Sequence, residues 1–192
     1  MVGAGPADLL GSLVLSKHGI PVTLMDMGQS LDPNLRATHH SAPAVTELIR
    51  AGVIDDVKAE GFIPDGVSWR RIDGEEIVSL DPTVLGDTPS DLVYLPLDEL
   101  AKILKRHLDR QKNVRILFNH EVIDIGQKDN EAWVKANTEA GVKQFKAQYI
   151  TGCDGANSKI RRSLFGDGEF PGFTWDKQIV ATNVSLEVDI LS

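Results

Sequence analysis

The chain has 192 residues, 42% of them hydrophobic and 25% charged, the make-up of an ordinary globular protein long enough for one domain with a sizeable core or for a domain and part of another. Its net charge of −8 argues against a nucleic-acid or anionic-membrane partner, since either calls for a basic surface. The one cysteine, Cys153, leaves no internal disulfide framework and suits a reducing, cytoplasmic compartment, while no run of about 18 apolar residues reads as a membrane span and no basic-then-apolar leader precedes the first motif.

The opening stretch, Val2-Gly3-Ala4-Gly5-Pro6-Ala7-Asp8-Leu9-Leu10, reads as the end of a strand, a tight glycine turn and the first turn of a helix. Gly3 and Gly5 fall where a dinucleotide-binding turn needs residues without a Cβ: one permits the sharp turn, the other lets the backbone approach a pyrophosphate. The helix that follows presents unpaired N–H groups and a positive dipole end to the phosphates. The third position of this G-x-G-x-x-G pattern calls for Gly or Ala, for close helix–strand packing. Here it is Asp8, which adds bulk and places a carboxylate where it would repel a diphosphate. Leu9, Leu10, Leu13 and Val14 form an apolar stripe at helical spacing, with Gly19 where the helix would end. Ile20-Pro21-Val22-Thr23-Leu24-Met25 reads as a second buried strand closing with Asp26. An acid at that place, about 20 residues beyond the glycines, is where a ribose hydroxyl would be held; the plainer reading is a generic βαβ unit with a solvated Asp26. Only Met1 and Val2 stand for a first strand that normally has about 5 residues.

Residues 27–40 are rich in turn formers and read as a loop. Arg36 within it carries the planar fork that suits pyrophosphate oxygens, and is otherwise a surface arginine. His39 and His40 are adjacent, so their side chains diverge, and without an acidic or cysteine partner at ligand spacing they point to no metal site. Ser41 caps the next expected helix, with Val45, Leu48 and Ile49 on its buried face and Gly52 as its stop. A loop leads on to Val67-Ser68-Trp69-Arg70-Arg71-Ile72, an Asp73-Gly74 turn and Glu75-Glu76-Ile77-Val78-Ser79-Leu80, the strongest hairpin signal in the chain. Such an insertion suggests a second lobe that covers a substrate.

Residues 81–96 are rich in proline and aspartate and irregular. A helix returns over 98–111 with Leu100, Ile103, Leu104 and Leu108 in register. Val114-Arg115-Ile116-Leu117-Phe118 then reads as a strand of the parallel sheet. Strands over 121–126, 132–137 and 142–147, parted by polar turns at 128–130 and 138–141, make an antiparallel meander. It covers one sheet face, and its first strand reaches the nucleotide. In Tyr149-Ile150-Thr151-Gly152-Cys153-Asp154-Gly155-Ala156-Asn157-Ser158-Lys159-Ile160-Arg161 a short strand ends at Gly152, Asp154-Gly155 form a turn, and 158–165 continue as a helix stopped by Gly166. An aspartate on that turn can accept from cofactor hydroxyls or pin the loop through local backbone bonds. Arg161 folds back onto the turn, meets a second nucleotide's phosphate, or is a surface arginine. Cys153 reads as a small buried residue, with no base in reach to make it a nucleophile.

Three pieces in this order resemble the FAD-dependent aromatic hydroxylases, the phenol and p-hydroxybenzoate hydroxylase type of flavoprotein monooxygenase. They are Gly3-Ala4-Gly5-Pro6-Ala7, the acid Asp26, and Asp154-Gly155-Ala156-Asn157-Ser158-Lys159-Ile160-Arg161, which matches the family fingerprint D-G-x-x-S-x-x-R. The resemblance implies an α/β fold: a Rossmann-like FAD-binding βαβ unit with a parallel sheet, an antiparallel three-stranded meander and the start of a substrate-domain sheet. It further implies that Gly3, Ala4, Gly5, Pro6 and Ala7 wrap the FAD pyrophosphate, Asp26 binds the adenosine ribose, Arg36 lies near the pyrophosphate, and the backbone of Val122 contacts the adenine. Asp154 and Arg161 would serve both FAD and the electron donor, NADPH or NADH. The implied chemistry is flavin reduction by that donor, capture of molecular oxygen and hydroxylation of a small aromatic substrate. The cofactor performs it while the protein orients the reactants and excludes water.

The same resemblance divides the chain. Residues 1–66 are the first part of the FAD-binding domain, 67–96 an inserted hairpin and loop of the substrate lobe, 97–168 the FAD-binding domain continued, and 169–192 the start of a substrate domain, with a strand over 178–188. Three departures stand out: Asp8 replaces the third glycine, Leu97 takes a place where the family carries Gln or Arg near the flavin, and the later G-D motif is absent. The expectation is therefore the front half of a flavin monooxygenase, truncated at both ends, with a non-catalytic or degenerate nucleotide-binding fragment as the alternative. No catalytic residue, substrate identity or oligomeric state follows from the sequence.

Overall fold

The glycine turn leads into α1 (Pro6–Lys17) in the computed structural model, which describes residues 1–34, 36–64, 66–80, 92–168, 172–173, 175–178 and 180. Gly5 is the N-cap in an extended conformation, and Pro6 fills the first helical position, where its missing N–H is no loss. The buried face of α1 joins Leu9 and Leu13 to Asp8, Ser12 and Ser16, while Leu10 and Val14 are only half-buried. The expected apolar stripe is thus rotated to admit a polar line at four-residue spacing. β1 (Val22–Met25) starts later than expected: Pro21 has no N–H to give a ladder, and Ile20 stays 47% exposed.

β2 (His39–His40), α2 (Ala42–Ala51) and α3 (Ile54–Glu60) follow. α2 stops at Gly52, whose φ of 67° is the left-handed value a helix end favours, and Ser41 stands at its N-cap without a side-chain bond. α3 occupies a stretch expected to be loop. It buries only Val57, so no apolar stripe announces it. Contacts from outside hold it: Asp56 Oδ2 lies 2.6 Å from His107 Nε2, and Glu60 pairs with Arg106. β3 (Val67–Arg70) and β4 (Glu76–Leu80) form the expected antiparallel hairpin around Gly74, whose φ is 92°.

β5 (Val93–Tyr94) pairs antiparallel with β2. That clasp corrects two expectations, the loop over 27–40 and the irregular stretch over 81–96, each of which ends in a strand too short to show a period. The buried His40 bonds the Leu95 carbonyl through Nε2 at 3.0 Å, and burial lowers its pKa. α4 (Leu97–Leu108) buries Leu100, Ala101, Ile103, Leu104 and Leu108 and packs against α1.

β6 (Val114–Leu117) runs parallel to β1, from Val22↔Val114 to Met25↔Leu117. Val2 bridges Met25 on one side and Gly152 on the other, both in parallel. The parallel layer therefore runs Gly152, Val2, β1, β6. β7 (Glu121–Lys128), β8 (Glu131–Thr138) and β9 (Gly141–Ala147) form the expected antiparallel meander, and α5 (Lys159–Phe165) packs on β7. Alternate residues of the parallel strands serve two cores. Leu24 and Ile116 join Leu9, Leu13, Val45, Leu48 and the α4 leucines, while Met25 and Leu117 join Val2, Val122, Val134, Ala136 and Ile160. The sheet is covered by helices on one face and by the meander and α5 on the other. The expected irregular residues 81–91 and most of the strand expected over 178–188 lie outside the described residues. Among the described residues no helix is long and apolar enough to cross a membrane.

Candidate functional site

The parallel strands end together, and a cleft of about 980 Å³ opens beyond their carboxyl ends, the place where open α/β sheets hold ligands. Gly3, Ala4, Gly5 and Pro6 line it from the first turn, Asp26 from the end of β1 and Arg36 from the following loop. Val122 and Asp154 complete the set from β7 and the second turn. Two of the expected site residues, Ala7 and Arg161, are not part of its lining, whereas Lys159 and Arg162 are.

Gly3 has a φ of 116°, and a Cβ there would lie 2.6 Å from Asp8 Oδ2 and 2.9 Å from the Cys153 carbonyl oxygen. Both conformation and space demand glycine. At Gly5 the only neighbour of a Cβ among the described residues would be Asp8 Oδ2, at 3.6 Å, so its outer side is open to the cleft. Asp26 braces the turn. Its Oδ2 accepts the Ala4 N–H at 2.9 Å and its Oδ1 the Gly28 N–H at 2.7 Å. Each oxygen keeps lone-pair capacity for a further donor.

Asp8 is fully buried and is not part of the cleft wall. Its expected bulk is turned behind the turn, where Oδ2 accepts the Gly5 N–H at 3.1 Å. This is half of a capping box, with the helix residue reaching back to its own N-cap. Asp8 Oδ1 is buried with no hydrogen-bond partner among the described residues. Burial is the largest influence and pushes the Asp8 carboxyl up to about 6, against the opposing pull of the Cys153 thiol and the Gly5 N–H. Burial, reinforced by the Asp8 charge, pushes the Cys153 thiol up to about 11, which rules out a ready thiolate.

The second turn is built differently. Asp154 Oδ1 accepts the Ser158 hydroxyl at 2.5 Å, and Oδ2 accepts the Lys159 and Ile160 N–H groups at 2.6 and 3.1 Å. Ser158, the N-cap of α5, accepts the Arg161 N–H through Oγ at 2.9 Å. A Cβ at Gly152 would lie 2.7 Å from Ile160 Cβ, so glycine there allows α5 to sit against the strand. With the cap at Ser158, Lys159 and Arg162 stand three apart on one face of α5, and that face looks into the cleft. The helical period counted from the serine was the signal available for these two residues.

On the remaining sides, Arg36 pairs with Asp32 through Nε and Nη2 at 3.1 and 2.7 Å, and both side chains are largely exposed. The Asn34 N–H, and next Arg36, hold the Asp32 carboxyl below its ordinary range. Val122 is buried at a register shift between Val122 and Asp124 that leaves Ile123 as the extra residue of a β-bulge at the cleft edge. Leu97 and Asp98 border the cleft from the start of α4, with Asp98 Oδ2 held by Lys102 at 3.3 Å. Asp98, His120, Lys159 and Arg162 are lining residues that the sequence reading did not single out.

A family model described as FAD binding domain matches residues 1–191. Para-nitrophenol 4-monooxygenase of Pseudomonas sp. (strain WBC-3) is 31% identical over 192 residues, which cover 99% of this chain and 47% of that relative. 6-hydroxy-3-succinoylpyridine 3-monooxygenase of Pseudomonas putida is 31% identical over 193 residues, covering 100% of this chain and 49% of the relative. The crystal structure of p-nitrophenol 4-monooxygenase from Pseudomonas putida superposes with a TM-score of 0.85 at 30% identity, over 91% of this chain and 44% of that one. The chain thus spans about half the length of the curated relatives it matches.

Proposed function

The chain belongs to the FAD binding domain family, and from that premise we propose that it is the FAD-binding portion of an NAD(P)H-dependent flavin monooxygenase that hydroxylates a phenolic compound. The observation that carries this reading is the cleft itself. Two strand-to-helix turns from adjacent parallel lines of the sheet, one with the open Gly5 and one with Asp154, face a common space. The two relatives by name oxygenate a nitrophenol and a hydroxylated pyridine, which supports an electron-rich ring as the substrate class.

The residues present fit the cofactor. The Gly3–Ala4–Gly5–Pro6–Ala7 turn and the amino end of α1 are assigned the pyrophosphate, with Arg36 available once it releases Asp32. Asp26 is assigned the adenosine ribose. The backbone at Val122, where the bulge interrupts the ladder, is assigned the adenine edge. Asp154 is assigned to the shared site for FAD and the nicotinamide donor, and Lys159 and Arg162, rather than the expected Arg161, supply the positive charge that borders the cleft. When bound, FAD supplies the electron transfer between the nicotinamide donor, molecular oxygen and the aromatic ring. Residues 1–66 and 97–168 make the cofactor side, and 67–96 and 169–192 belong to the substrate side.

Titrating the chain with FAD, followed by flavin fluorescence and thermal shift, tests this reading. A ligand that binds only the folded state raises its stability by about 2.7 kcal/mol at a hundredfold excess over Kd. Saturable binding weakened by Asp26→Ala and Arg36→Ala is expected; a folded chain that leaves flavin fluorescence and melting temperature unchanged would overturn it. A second reading, a nucleotide-binding chain without turnover, is favoured by Asp8 and Leu97. Aromatic-stimulated oxidation of NADPH or NADH by the FAD-loaded chain decides against it.

A further inference from the structure

Behind the glycine turn the chain carries an anion of its own. The Gly5 N–H has one proton to give, and Asp8 Oδ2 takes it from the side away from the cleft. Resting on the reading that this cleft holds FAD, we propose that the Asp8 carboxylate, held by the Gly5 N–H behind the turn, repels the cofactor's diphosphate across that turn, so that cofactor uptake takes up a proton at Asp8. Asp8 fills the third place of the glycine pattern, which calls for Gly or Ala, and it is wholly buried with Oδ1 lacking any partner among the described residues. Ser12 Oγ, one helical turn further along the same buried face, is likewise without a partner. A buried carboxylate with an unused oxygen gains by accepting a proton, and a diphosphate on the far side of the same peptide strengthens that tendency.

Several titratable groups surround Asp8. From the first strand comes the Met1 α-amino group, itself lowered by burial; from the second turn come the Cys153 thiol and the Asp154 carboxylate. Asp26 braces the same turn from β1, and Asp98 borders the cleft from α4. The thiol stays protonated throughout the neutral range, with burial the main cause. In the free chain Asp8 is already raised to about 6, again chiefly by burial. Bound diphosphate raises it further. Between these two values each bound cofactor brings a proton with it, so affinity falls as pH rises, by at most about tenfold per pH unit.

The test measures FAD affinity by flavin fluorescence across about pH 5.5–8.5 for the wild-type chain, Asp8→Asn and Asp8→Ala. Calorimetry in two buffers of different ionisation enthalpy reads proton uptake. Wild-type Kd is expected to weaken by about tenfold or more between pH 6 and pH 8, with proton uptake. Both variants are expected to bind at least about tenfold tighter than wild type at pH 8, with a flat profile and no uptake. A purely structural role would change folding stability and leave the slope in place. A flat wild-type profile, or variants that keep the wild-type slope, overturns the proposal and leaves the cofactor reading standing. Failure of all three folded chains to bind FAD at any pH overturns the cofactor reading, and this proposal with it.

Discussion

The two turns that face the cleft make opposite use of an aspartate. In the second turn Asp154 stands ahead of α5 and receives three donors, one hydroxyl and two backbone N–H groups. In the first, Asp8 lies inside the first turn of α1, receives one backbone N–H, and buries an oxygen with no partner among the described residues. Both carboxylates favour the positive end of a helix. The difference lies in solvation: Asp154 replaces its water with donors on both oxygens, while Asp8 does so on one. A carboxylate at a helix start is therefore a cap in one turn and a latent proton site in the other, although each sits beside a glycine of positive φ.

The comparison can be broken most severely at the glycines. Gly3→Ala is expected to destabilise the chain by roughly 2–6 kcal/mol, adding backbone strain to a clash with the Asp8 carboxylate and the Cys153 carbonyl. Gly155→Ala, at φ 79° with nothing among the described residues within 4 Å of a Cβ, meets strain alone and should cost about 1 kcal/mol. Urea unfolding of both variants checks the pair, and equal losses would show that packing behind the first turn contributes nothing.

Next in size is the pH profile of stability. Asp8 in the folded chain is raised by burial from its ordinary 3.8 to about 6, so the folded state holds a proton that the unfolded chain has released. Its contribution is fully present below about 4, is lost as pH rises towards 6, and is constant above; the total is on the order of 3 kcal/mol. Asp8→Asn should match wild type below pH 4 and exceed it above pH 6, as read by denaturant midpoints at each pH. Parallel curves would show that the buried oxygen is solvated after all.

Asp154→Ala removes an acceptor from two N–H groups and a hydroxyl, and should cost about 2 kcal/mol, measured by the same unfolding at pH 7. Ser158→Ala removes the cap on the Arg161 N–H and the hydroxyl that Asp154 Oδ1 accepts, but leaves Asp154 its two backbone donors, and should cost about 1 kcal/mol. If Ser158→Ala cost more than Asp154→Ala, the serine rather than the aspartate would organise the second turn.

Much of this was legible because it is written in contiguous residues. The Gly3–Gly5 turn, Pro6, Gly52, the Asp73-Gly74 hairpin and the Asp154–Ser158 turn each follow from backbone conformations that only certain residues adopt cheaply. The α4 stripe and the meander follow from their periods. The β2–β5 clasp and α3 were not legible, because two-residue strands have no period and a helix with one buried residue has no stripe. The choice between Arg161 and Arg162 at the cleft depended on where the Ser158 cap set the phase of α5.

Asp26, as the acid closing β1, was recognisable from spacing alone; that both its oxygens are engaged by Ala4 and Gly28 is a property of the folded loop. Asp8 marks the boundary most sharply. Its identity and its conflict with the glycine pattern were written in the sequence. Its direction, its burial and its proton affinity were decided only when the segment carrying Gly152 and Cys153 paired beside Val2, because the solvation of a charge depends on every segment that excludes water from it.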